Sequence, residues 1–118
     1  MLIDHLRHHA LMTSFVESAL VNSFALQISI VTIAEIYAGA SMDIEGARAE
    51  AEDLFGNFGI VPLDEHITRK AGEIKRRYRI DLIDAIIAAS AMLTESVLIT
   101  KNVKHFEGIP ELEIKAIA

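Results

Sequence analysis

The sequence predicts an α/β domain with a mainly parallel central sheet flanked by helices. Three observations point there. Short β-branched runs alternate along the chain with segments of helical period, and parallel neighbours need such crossover connections. From Ala85 the chain is apolar or small for nine positions, as in a helix buried nearly all round. A strand-like run at 97–99 then ends in polar Thr100-Lys101-Asn102, the pattern of a site at the carboxyl edge of a parallel sheet.

The elements follow in order. Residues 4 to about 21 predict one helix or two short ones, with Leu11, Phe15 and Ala19 at helical spacing. The β-branched alternation over 26–32 predicts a strand. Thr32 is placed to cap the next helix, 33–40, with Glu35 at capping-box spacing. A longer helix over 44–58 carries Glu50, Glu52 and Asp53 on its wet side and stops at Gly59. Residues 60–63 predict a short strand, where Pro62 is tolerable at an edge or end. Asp64 caps a helix reaching about Arg79, with Ile67, Ala71 and Ile74 forming one apolar stripe. A helix over 82–94, a strand at 97–99, a turn at His105-Phe106 and a last strand over 113–117 complete the chain.

At 118 residues these elements make a single domain, 1–118, with no linker, repeat or low-complexity stretch. Its apolar fraction is 52% with few aromatics, so the core is aliphatic. Cysteine is absent, which excludes disulfides and thiolate metal sites. No apolar run reaches the ~18 residues of a membrane span, and the start lacks a signal-peptide pattern, so a soluble cytoplasmic protein is expected. A net charge of -6 argues against nucleic-acid binding through the whole surface. A local basic face is still present, because six of the eleven Lys and Arg residues lie between Arg69 and Arg79. Such a run is a wet helix face or a seat for RNA phosphates or a partner's carboxylates.

Asp84 stands where packing alone would select Leu. Glu35, Asp84 and Asn102 all fall where strands give way to helices or turns, so a parallel sheet brings them toward one edge. Oxygen donors, with neither Cys nor an evident paired His, suit Mg²⁺ or Mn²⁺ better than Zn²⁺. Taken singly, Glu35 would close a capping box, Asp84 complement a helix dipole, and Asn102 turn the chain. Capping does not require their joint position. His5, His8 and His9 read as a solvated helix face, since His5 and His9 at i, i+4 lack an accompanying acid. Ser14, Ser29, Ser41 and Ser90 lack a nucleophile elbow, and the glycines form no phosphate-binding loop.

Three segments carry a resemblance over essentially the whole chain: Ile30-Val-Thr-Ile-Ala-Glu-Ile-Tyr-Ala-Gly39, Asp84-Ala-Ile-Ile-Ala-Ala89 and Leu98-Ile-Thr-Lys-Asn-Val-Lys-His-Phe106. Together they resemble the PIN-domain nucleases, and within them the VapC-type toxins of toxin–antitoxin pairs. The resemblance implies a PIN-like three-layer fold and a Mg²⁺- or Mn²⁺-dependent endoribonuclease, inhibited by a small VapB-like antitoxin. It also implies a homodimer. Glu35 and Asp84 match family acids, Asn102 matches a position holding Asp or Asn, and Thr100 matches a supporting polar residue. The expected roles are catalysis and metal binding for Glu35 and Asp84, metal binding for Asn102 and support for Thr100.

One departure stands out. The family opens with an apolar strand ending in Asp-Thr-Asn or Asp-Thr-Ser, whereas Met1-Leu-Ile-Asp-His-Leu-Arg7 reads as joining after that acid. On this reading the first strand and its Asp are missing, and Asp4 is no replacement. A rival function follows: a binding module that keeps its antitoxin or dimer contacts without cutting.

Overall fold

The strand expected to be missing is present, and it is central. In the computed structural model, Leu2–Ile3 forms strand β1. It pairs in parallel with β2, Gln27–Ser29, on one side and with β4, Leu98–Thr100, on the other. The remaining strands are β3, Gly59–Val61, and β5, Ile114–Ala116, and the order across the sheet is β3-β2-β1-β4-β5, parallel throughout. Two residues are too few to show a period, so the sequence pattern could not reveal β1. Its pairing on both sides does, and Leu2 is completely buried there. The structure describes residues 2–3, 26–56, 58–100 and 102–116; the opening helix over 4–21, Asp4, Ser14 and the histidines His5, His8 and His9 lie outside them.

The described helices are α1 (Ile30–Tyr37), α2 (Ala47–Phe55), α3 (Glu65–Tyr78), α4 (Leu82–Leu93) and the short α5 (Val103–Phe106), with a 3₁₀ turn at Ala40–Asp43. The strand expected over 26–32 ends at Ser29, and the helix begins three residues before the predicted 33. The reason is the cap. Ser29, in extended conformation, accepts a hydrogen bond from the Val31 N–H at 3.3 Å. Thr32 therefore lies inside α1, and the capping box expected from Thr32 and Glu35 does not form.

Elsewhere the prediction holds to within a few residues. The Asp64 carboxylate accepts from the Ile67 N–H at 2.9 Å, and Ile67, Ala71 and Ile74 are the buried stripe of α3. The helix expected over 44–58 is shorter, Ala47–Phe55, because a 3₁₀ turn and Gly46 at φ +87° precede it. The turn expected at His105-Phe106 is the single turn of α5.

Alternation along the strands sorts the core onto two faces. Leu2, Val61 and Leu98 join one buried cluster with α3 and α4, while Ile28 and Ile99, equally buried, point the other way. Helix α4 is buried continuously from Asp84 to Ala91, and Ser90 satisfies its hydroxyl by donating to the Ile86 carbonyl at 2.7 Å. The helix ends in a Schellman motif: Ser96 N–H donates to Ala91 O at 2.8 Å and Glu95 N–H to Met92 O at 3.2 Å, with Glu95 at φ +52°. That turn feeds the chain directly into β4.

Candidate metal centre at the carboxyl edge of the sheet

Because every strand pair is parallel, the carboxyl ends of β2 and β4 open on one edge. Thr100 is the last residue of β4 and is completely buried. Two positions after Leu98, it points to the face that α4 covers. Its Oγ1 accepts a hydrogen bond from the Asn102 N–H at 3.0 Å, which fixes the turn leaving the strand. Asn102 occupies the N-cap position of α5, yet its side chain makes no capping hydrogen bond. The amide is thus not consumed by the turn role that its residue type suggests.

Asp84 sits in the first turn of α4, where the positive end of the helix favours an anion. Its side chain is only 7% exposed. The Oδ2 atom lies 3.1 Å from Nδ1 of His105, whose side chain is 52% exposed. His105 N–H in turn donates to the Asn102 carbonyl at 3.0 Å. Asp84, Thr100, Asn102 and His105 therefore form one connected group built from α4, the end of β4 and α5.

Glu35 lies on α1, the helix that leaves β2, and α1 packs against α4. The residue is half-buried. One turn earlier on the same helix, Thr32 is completely buried and its Oγ1 has no hydrogen-bond partner among the described residues. An unpartnered buried hydroxyl costs about 1–3 kcal/mol. Among the described residues no three His, Asp or Glu side chains converge on one point. Asp84 and His105 form a pair at 3.1 Å.

Sequence reasoning overlooked His105. The third segment contains it, but its partner is far away in sequence, and the expectation of oxygen donors without a nearby His is corrected by the 3.1 Å approach. Two of the serines dismissed as nucleophiles are occupied structurally: Ser29 caps α1 and Ser90 bonds within α4.

Comparison with known proteins agrees with this architecture. The PIN domain family profile matches residues 2–112. The chain is 31% identical over 116 residues to Ribonuclease VapC19 of Mycobacterium tuberculosis, spanning 94% of this chain and 90% of that one. It is 36% identical over 117 residues to Ribonuclease VapC10 of the same organism, spanning 95% and 85%. Among solved structures, a toxin-antitoxin complex from Klebsiella pneumoniae superposes with a TM-score of 0.74 at 27% identity, covering 99% of this chain and 95% of that one. DNA-bound VapBC from Salmonella typhimurium shares the fold at a TM-score of 0.80 and 21% identity, covering 98% and 96%.

Proposed function

Because this chain belongs to the PIN-domain family, among its VapC-type toxins, we propose that it is a metal-dependent endoribonuclease, the toxin of a type II toxin–antitoxin pair. The observation that carries the reading is the nearly buried Asp84 carboxylate, set in an apolar helix at the carboxyl edge of a parallel sheet beside Thr100 and Asn102. Packing gives no reason for an acid there; a divalent cation does.

The donor set fits Mg²⁺ or Mn²⁺. Asp84, Glu35 and the Asn102 amide offer oxygen, and the chain has no thiolate. When bound, such an ion polarises a phosphoryl oxygen and lowers the pKa of water for attack on phosphorus. Asp84 and Glu35 would hold it and Asn102 would orient water beside it, while Thr100 fixes the Asn102 backbone through the 3.0 Å hydrogen bond.

RNA is the substrate by analogy with the ribonuclease relatives. On α3, Arg69, Lys75, Arg76 and Arg77 are exposed and offer contacts to its phosphates. A VapB-like antitoxin and a second copy of the chain are the proposed protein partners. Exposed Ile30, Tyr37, Ile44 and Ile60 provide apolar surface for them. Among the described residues no helix is long and apolar enough to cross a membrane, and we assign the protein to the cytoplasm. The rival reading, a binding module that no longer cuts, rested on a missing strand and acid, and of these the strand is present as β1.

Incubation of structured RNA with the chain in Mg²⁺ or Mn²⁺, with and without EDTA, tests the reading. Cleavage that requires the ion and stops with EDTA is expected; cleavage indifferent to EDTA, or none with either ion, overturns it.

A further inference from the structure

We propose that the C-terminal end of α3 and the turn after it, through Arg76, Arg77 and Arg79, hold the sugar–phosphate backbone of single-stranded RNA beside the edge where Asp84 lies. This rests on the ribonuclease reading above and deepens it by assigning the surface that carries the strand. Charge distribution is the first observation. Residues 69–79 hold six cations against the single acid Glu73, a net +5, while the rest of the chain carries −11. An acidic molecule thus keeps one strongly basic segment.

Pairing sorts these cations. Arg69 has Glu65 at 3.2 Å and Lys70 has Glu111 at 3.9 Å, so each is matched by a carboxylate. Lys75 donates to the Ile80 carbonyl at 3.2 Å, folding its side chain over the turn into α4. Arg76, Arg77 and Arg79 are exposed, and their side chains have no hydrogen-bond or ion-pair partner among the described residues. Three permanent charges stay unneutralised in a chain with carboxylates to spare. The dipole of α3 favours a cation in its last turn, but Lys75 already lies there, and three arginines more exceed that need.

Position favours RNA over an acidic peptide. Arg79 stands five residues before Asp84, so the chain separates their Cα atoms by no more than about 17 Å, and α3 packs along α4. On α5, the helix that brings His105 to Asp84, Lys104 is exposed as well. Cations from two elements therefore border the same acid. Guanidinium forks match phosphate oxygens, and contacts of this kind fix the path of a strand without reading its bases.

The test uses the full chain and a fluorescent oligouridylate in EDTA, so that anisotropy reads binding without cleavage. The plot of log affinity against log salt should become shallower by about 2 when Arg76→Gln, Arg77→Gln and Arg79→Gln are combined, about 0.7 for each lost phosphate contact, with affinity at about 0.1 M salt down at least about tenfold. Lysine at the same three positions should keep most of the slope, because the charge persists. Arg48→Gln, exposed on the acidic α2, should move the slope by less than ~0.3. With Mn²⁺ present, the triple glutamine variant should raise KM for RNA and leave kcat within about twofold. An unchanged slope in the folded triple variant, or no salt-dependent binding by the wild type, overturns the inference and leaves the nuclease reading standing. A shallower slope in a chain that cuts no RNA with either ion keeps the inference and removes that reading. Tighter binding of oligoglutamate than of oligouridylate, lost in the triple variant, assigns the surface to a protein partner and overturns the inference. If the triple variant does not fold, Arg76→Gln alone should lower the slope by about 0.7, and no change there overturns the inference equally.

Discussion

Each residue of the edge cluster owes its importance to a mismatch between its type and its burial. Asp84 is an acid inside an apolar helix, Thr32 a buried hydroxyl without a partner among the described residues, and Asn102 an N-cap residue whose side chain does not cap. Thr32→Val replaces a hydroxyl with no partner among the described residues by a methyl of the same shape, so we expect stability unchanged or raised by up to ~1 kcal/mol in urea unfolding. RNA cleavage should fall in the same variant; unaltered cleavage would show that the hydroxyl serves nothing at the site. Glu35→Gln keeps shape and removes charge, and its cleavage rate should drop about 100-fold or more, about 2.7 kcal/mol of transition-state stabilisation. Asp84 and Asn102 were legible as candidates from residue type and position alone. His105 was not, because its significance comes from a contact with a helix that begins more than twenty residues earlier.

At the scale of elements, local chemistry predicted well wherever one residue dominated. Asp64 caps α3 as its position before Ile67, Ala71 and Ile74 indicated. Two serine/threonine candidates close together in Ser29-Ile-Val-Thr32 defeated the same reasoning: both fit a cap, and backbone geometry selected Ser29. Strand and helix propensities overlap in that β-branched run, so the boundary was set by pairing of Gln27–Ser29 with β1 and β3 rather than by propensity. The junction of α4 and β4 invites a quantitative check. Glu95 holds a left-handed conformation that costs a non-glycine residue about 1 kcal/mol. Glu95→Gly should therefore stabilise the chain by about 0.5–1 kcal/mol, read as a higher urea midpoint at constant slope. A lower midpoint would show that the turn does not limit stability.

For the whole molecule, the five parallel strands place every carboxyl end on one edge, and that arrangement depends on β1. The alternation of strands and helices revealed the α/β class, but a strand of two residues has no periodicity to read. Its central place emerges only from the parallel pairing of Leu2 with Gln27 on one side and Leu98 on the other. Leu2→Ala removes a completely buried side chain from the middle of the sheet and should cost about 2–5 kcal/mol, a large part of the ~5–15 kcal/mol that holds a domain together. A change below ~1 kcal/mol in urea unfolding would contradict the central position.

Everything functional converges on Asp84, and one comparison tests it most directly. Wild type and Asp84→Asn, matched for circular dichroism, are given structured RNA and saturating Mn²⁺. Loss of cleavage in the variant by about 100-fold or more, with the fold retained, is the predicted result. Equal cleavage by the two proteins would contradict the metal centre at the carboxyl edge and the nuclease built on it.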